Sequence, residues 1–350
     1  MQSEAEIRES FAKQAIWCAQ LGSPLTAQLM AGLGVALDQG SKTGQRILTW
    51  RGQADALGDA VALRLAGALN ALVQKGRLPE LAACYPPNEL PDQQALTGVA
   101  MDAIFDADDE ICAFLDHPPQ TNEVARSAVL YPGMCFIAQQ TGLPLALYEV
   151  GASGGLNLFA DRFTYQFGDQ QRGDPASGVK LSPEWNGALP PSGEPRIIRR
   201  KGCDRNPLDI TQAAHRDRML AYIWPDQAAR ITRIKAALEI AQRAPPEMAQ
   251  MDAADWVEAQ ISAEPEEGVT RVLFHSIAYQ YFPNDVRRRI KARMEAAGAR
   301  ATKTAPVAWL SFEQSTDDGP RLTLRLWPQD GAVRQLAVAG PHVHSVEWLG

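Results

Sequence analysis

The chain has 350 residues, 45% of them hydrophobic and 21% charged, with a formal net charge of −7. That length supports one large domain or two ordinary ones, and the acidic balance supplies no global positive field to gather nucleic acid or anionic lipid. No apolar run reaches membrane-spanning length, the start Gln2 to Glu6 is acidic with no signal-peptide core, and the five cysteines form no Cys-x-x-Cys pair, so the expectation is a cytoplasmic protein without a disulfide framework or bound metal.

Residues 1–142 read as an α-helical N-terminal domain. Ile7, Phe11, Ala15 and Cys18 share a helical face, as do Leu25, Leu29 and Leu33. Leu57, Val61, Leu65, Ala68 and Leu72 extend the same period, and further helices are predicted near 94–115 and 122–140. Ile47 to Trp50 is the one strand expected here. Gln120, Thr121, Asn122, Glu123 and Arg126 form a dense polar set where the last of these helices begins. Thr121 or Asn122 suits the cap and Glu123 the positive end of the dipole, leaving Arg126 for an interdomain ion pair or an anionic substrate group.

From 143 to 350 the pattern changes to strands alternating with helices. Strand-like runs at Leu145–Val150, 196–200, 247–251, 271–275 and 306–312 are separated by helical stretches near 226–243 and 284–297, which implies βαβ units and a mostly parallel sheet. An insertion at about 163–195, rich in Gly and Pro after Phe163 to Phe167, reads as hairpin-like. In the tail, Arg321 to Trp327 alternates, Pro328 to Gly331 turns, and Val333 to Ala339 returns, as an antiparallel ribbon at the sheet edge. The run Arg196, Arg199, Arg200, Lys201 and Arg205 is read as a solvated strand end and loop, with a local basic groove as the other possibility.

The segment Leu145 to Leu158 is the most informative. An apolar strand ends in Glu149, a small-residue turn Gly151-Ala152-Ser153-Gly154-Gly155 comes next, and apolar residues resume at helical spacing. Glycine is needed where backbone turns sharply or a ligand comes close, and the amides of a helix start hold an anionic or polar group. This is the opening unit of a nucleotide-binding α/β half.

Taken with Gln120 to Glu123 before it and Arg200 to Asp209 after it, this segment resembles a bacterial family of uncharacterised proteins over most of the chain. The C-terminal part also resembles class I S-adenosylmethionine-dependent methyltransferases. That resemblance implies a Rossmann-like sheet, mostly parallel with an antiparallel C-terminal edge, and S-adenosylmethionine as cofactor. It implies that Glu149, Gly151, Ser153 and Gly155 shape the cofactor loop, that Asp204 binds the ribose and Asp252 the adenine side, and that Val272 to Ser276 carries the reaction segment. The expected reaction is methyl transfer to a small-molecule acceptor. A carboxylate suits a ribose diol because it accepts two charge-assisted hydrogen bonds. Asp204 lies about 50 positions beyond Gly151, where about 20 is usual for a ribose acid. The insertion absorbs the excess, and Asp169 is the competing candidate. No Asn/Asp-Pro-Pro-Tyr appears, so the resemblance does not point to methylation of nucleobase or amide nitrogen.

Other readings stand beside this one. Gly151-x-Ser153-x-Gly155 matches a hydrolase nucleophile elbow, with Ser153, Asp252 and His275 in triad order, but the expected earlier strands and a His-Gly-Gly oxyanion segment are missing. The glycines lack the regular Gly-x-Gly-x-x-Gly of a nicotinamide or flavin enzyme. A non-catalytic S-adenosylmethionine- or nucleotide-binding scaffold remains the alternative. His275 is either a catalytic base at the crevice or a satisfied buried histidine; Tyr279 and Tyr281 either line an acceptor pocket or pack. His342 and His344, with no carboxylate or cysteine near them in sequence, are read as surface residues rather than metal ligands.

Overall fold

A computed structural model describes residues 2–261, 264–315 and 319–350. Two compact units emerge, one of residues 1–121 and 213–232, the other of 122–212 and 233–350. The expected boundary at 142 therefore moves to 121, and an excursion after Gln212 returns to the first unit. Helix 127–141 belongs to the second unit because its own face is spent there: a Cβ added at Gly133 would lie 2.8 Å from Leu310 Cδ1.

The first unit is helical, as the periodicity predicts. Its opening helix, Glu4–Gln20, has a capping box in which Ser3 and Glu6 satisfy each other's exposed amides. Ile7, Phe11, Leu25, Leu29, Leu33, Val61, Leu65 and Leu72 are buried in one core. Two local readings are corrected. Ile47 to Trp50 is not a strand: a helix runs Lys42–Leu48, capped by Ser41, whose hydroxyl accepts from Gly44 N at 2.9 Å. Leu57 precedes the helix Val61–Gln74 and is 77% exposed, so the apolar stripe starts at Val61.

The second unit holds the strands, numbered in chain order. They are β1 (Leu145–Val150), β2 (Thr164–Phe167), β3 (Gln170–Gly173), β4 (Lys180–Leu181), β5 (Glu184–Gly187) and β6 (Ile197–Asp204). Then come β7 (Glu247–Gln250), β8 (Thr270–Ser276), β9 (Val307–Ser315), β10 (Gly319–Trp327), β11 (Arg334–Ala339) and β12 (Ser345–Trp348). The described residues form a nine-stranded sheet in the order β5-β12-β11-β10-β9-β8-β1-β6-β7. From β7 across to β9 every pairing is parallel; β9, β10, β11 and β12 form an antiparallel meander. All six residues of β1 are buried, as fits a central strand covered on both faces.

The insertion contains the expected hairpin, β2 with β3, in a separate three-stranded sheet with β4. It also sends β5 back to the main sheet, parallel to β12, which local pattern did not announce. On leaving β1 the chain moves to β6 on one side, and β8 later fills the other side. β1 is thus a topological switch point, where the connections diverge and leave a crevice beyond the strands' carboxyl ends. Among the described residues no helix is long and apolar enough to cross a membrane.

Candidate functional site

The crevice at the switch point is a cleft of about 180 Å3. Gly151 after β1, Asp204 at the end of β6, Met251 and Asp252 after β7, and Tyr281 and Phe282 beyond β8 all border it. Three strand ends and one later loop therefore supply its walls. The glycine turn is left-handed at Gly151, Ser153 and Gly155, with φ of +66°, +53° and +72°.

Beyond the turn the chain departs from expectation. Leu156–Arg162 is a short 3-10 segment broken at Phe159, not an α-helix. Its first amide, Leu156 N, already donates to Asn122 Oδ1 at 2.8 Å. The amide that an anionic ligand group would have used is thus taken by a side chain from the Gln120 to Arg126 set. Asn122 therefore serves this turn, while Glu123 accepts from Ala125 N at 3.1 Å at the start of its own segment. Arg126 donates to the carbonyls of Ser276 at 2.8 Å and Pro341 at 3.3 Å.

The turn is also packed from within. A Cβ at Gly155 would lie 3.0 Å from both Met248 Sδ and Pro246 Cγ, and one at Gly151 would lie 2.6 Å from Ala278 Cβ. The small residues admit the protein's own side chains as much as any ligand. Gly151 reaches the cleft, whereas Ser153 is buried and the rest of the turn lies behind it.

Asp204 holds this arrangement together. Its Oδ2 accepts from Ser153 N and its Oδ1 from Asn206 N, each at 2.9 Å, so one carboxylate ties the glycine turn to the loop after β6. An ionised carboxylate offers about four acceptor positions, and this one borders the cleft. Asp169 is placed elsewhere, exposed in the turn between β2 and β3. Asp252 caps the helix Ala253–Ile261, accepting from Ala254 N at 2.9 Å, and lies 4.0 Å from Arg205 and 3.9 Å from Arg289.

Glu149 is buried beneath the turn, and its Oε2 has no hydrogen-bond partner; the same holds for Ser153 Oγ. Burial first, then the nearby Asp204 charge, pushes the Glu149 carboxyl well above the ordinary carboxylate value, with Arg126 opposing.

His275 does not face the cleft as a base. It is 1% exposed and its ring stacks on Tyr279. Its Nε2 accepts from Trp309 Nε1 at 3.0 Å, and Nδ1 lies 2.7 Å from Glu313 Oε1. Indole N–H only donates, so Nε2 must be the acceptor and Nδ1 carries the proton. Both nitrogens are thus engaged, and the satisfied buried histidine is the form this residue takes. Ser153, Asp252 and His275 consequently do not act as a triad: Asp252 faces a helix start and two arginines, and His275 pairs with Glu313.

The remaining expectations sort by environment. Tyr281 is 60% exposed on the cleft rim, while Tyr279 packs and donates to Arg287 O at 2.7 Å. His342 does meet a carboxylate, since its Nδ1 lies 3.1 Å from the buried Glu123, which the linear sequence hid across some 200 positions. The basic run is dispersed into pairs: Arg199 with Glu266, Arg200 with Asp161, Lys201 with Glu247 and Arg205 with Asp252. Glu313, Trp309 and Phe282 were missed in the sequence because no local motif marks them.

A protein-family model described as an uncharacterized protein conserved in bacteria (DUF2332) matches residues 8–348. The chain belongs to that family. For this DUF2332 chain no curated protein and no solved structure matched. The glycine turn, the Asn122 clamp and the two acids all fall within the matched span.

Proposed function

We propose that this DUF2332 chain binds the adenosyl part of S-adenosylmethionine in the cleft beyond β6 and β7, in a Rossmann-like, methyltransferase-type domain, and serves methyl transfer to a small acceptor. The observation that carries this reading is that Asp204 and Asp252, at and just beyond the ends of the paired strands β6 and β7, both border an apolar cleft lined also by Met251, Phe282 and Val286. A nucleoside needs those surfaces: acceptors for ribose hydroxyls and for an exocyclic amine, with an apolar slot for the base.

The residues present fit that group in part. At about 180 Å3 the cleft is smaller than the roughly 300–1,000 Å3 of a complete small-molecule site, so it suits a nucleoside rather than a dinucleotide. The capped Leu156 amide removes a pyrophosphate anchor. The orphaned Glu149 Oε2 and Ser153 Oγ are buried polar atoms for which the chain supplies no partner. S-adenosylmethionine, when bound, supplies an electrophilic methyl group. Asp204 and Asp252 would hold the nucleoside, and Gly151 would keep the turn clear of it.

One observation favours a non-catalytic binding protein as the second reading: His275, the expected base, is locked between Trp309 and Glu313. Transfer would then rely on alignment and on an acceptor that needs no base from His275. Calorimetric titration with S-adenosylmethionine, S-adenosylhomocysteine, NAD and NADP tests the site. Binding of the first two alone is expected, and absence of binding for both overturns the proposal. Incubation with methyl-labelled S-adenosylmethionine and a small-metabolite extract separates the readings, since label transfer requires turnover.

A further inference from the structure

We infer that Glu313 is the positioning residue of the cleft's aromatic wall, acting through the backbone of residues 277–282. The inference rests on the cleft being the adenosyl site. Glu313 lies on β9, one strand beyond β8, and it does not border the cleft itself. Its Oε1 accepts from Ala278 N at 3.0 Å and Tyr279 N at 3.1 Å, as well as from His275 Nδ1 at 2.7 Å; its Oε2 accepts from Gln280 N at 3.4 Å. One carboxylate therefore gathers three successive amides of the loop that leads into Tyr281 and Phe282.

Such gathering is needed at this place. Ile277 has φ of +45°, a left-handed conformation costly for a β-branched residue, and it persists only if its neighbours hold it. Ile277 N donates to Phe312 O at 2.8 Å, so β9 grips the loop by main chain and side chain at adjacent residues. Ala278 abuts Gly151, and Phe282 lies across the same glycine, so a shift of this loop changes the cleft directly. His275 acts as a prop for Glu313, with Trp309 fixing its tautomer.

The test compares Glu313→Ala, Glu313→Gln and a stability control, Leu336→Ala, in the buried core of β11. Hydrogen exchange of residues 278–282 and titration with S-adenosylhomocysteine are measured at a temperature where all are folded. Glu313→Ala should lose amide protection there and bind at least about tenfold more weakly. Glu313→Gln, which retains the Oε1 acceptor for Ala278 and Tyr279 but not the Oε2 acceptor for Gln280, should restore protection at 278 and 279 and most of the affinity, and Leu336→Ala should leave affinity unchanged. Unchanged protection in Glu313→Ala overturns the inference, as does an equal affinity loss in Leu336→Ala. If wild type does not bind the ligand, the adenosyl reading fails and the exchange result alone decides whether Glu313 sets the loop.

Discussion

Asp204 carries two duties that substitution can separate. Its carboxylate accepts from Ser153 N and Asn206 N, each at 2.9 Å. A hydrogen bond to a charged group contributes about 1.5–3 kcal/mol, and a buried donor stripped of its partner costs about 1–3 kcal/mol. Asn206 is exposed and exchanges its lost acceptor for water, whereas Ser153 is buried. Asp204→Ala should therefore destabilise by about 2–3 kcal/mol, with the stripped Ser153 amide a main contributor. Asp204→Asn keeps one acceptor oxygen for Ser153 N and should cost about 1 kcal/mol. Removing the negative charge also relieves the buried Glu149, whose carboxyl Asp204 pushes upward, and so places both losses toward the lower end. Urea unfolding at neutral pH, compared through midpoints at constant slope, measures these differences. A loss below about 0.5 kcal/mol in Asp204→Ala, the scale of a neutral surface change, would refute the clamp. The ligand duty is read in Asp204→Asn, where the fold survives: weakened S-adenosylhomocysteine binding is expected, and unchanged affinity would remove the ribose contact.

Four further outcomes are expected from named environments. Because the folded state raises the Glu149 carboxyl above its ordinary value of 4.5, wild type loses stability as pH rises past that value; Glu149→Gln should match wild type in acid and exceed it at neutral pH, and a pH-independent difference would contradict this. The sign reverses at Glu313. Burial alone would raise its carboxyl, but the His275 contact and the loop amides outweigh it and hold it below 4.5, so its contribution is present above that value and lost as pH falls through the lower, folded one. The deficit of Glu313→Ala against wild type should accordingly shrink in acid denaturation curves. Trp309→Phe strips the donor from buried His275 Nε2 and should cost about 1–3 kcal/mol, with nitrogen NMR of the imidazole reporting the disturbed tautomer. Leu65→Ala, in the first unit's core, should cost about 2–5 kcal/mol, while exposed Leu57→Ala should stay within about 0.5 kcal/mol; equal losses on thermal unfolding would restore Leu57 to the stripe.

The reach of local pattern is clear at particular residues. The continuous apolar run of β1 and the heptad-like faces of Ile7 to Cys18 and Leu25 to Leu33 announce their structures, since burial on both faces or on one stripe leaves a periodic trace. Asp204 and Asp252 were singled out through the resemblance to methyltransferases, and the structure sets them at the end of β6 and just after β7, where an open parallel sheet presents its crevice. Ile47 to Trp50 misled because four apolar or β-branched residues fit a strand as well as the end of a short capped helix. His275 misled because its strand position is right for catalysis, while its partners Trp309 and Glu313 lie more than thirty positions away.

The amino-acid order by itself determined a helical first part, a largely parallel sheet after it, and a small-residue turn following its first strand, because each leaves its signature within a few residues. Only tertiary structure decided that Asn122 caps the turn, that Asp204 rather than Asp169 reaches the cleft, that His275 is sequestered, and that Glu313 grips the loop opposite. Those outcomes depend on which strands become neighbours. Hydrogen bonds a few ångströms long between residues 34 to 51 positions apart leave no periodic mark on the chain that makes them.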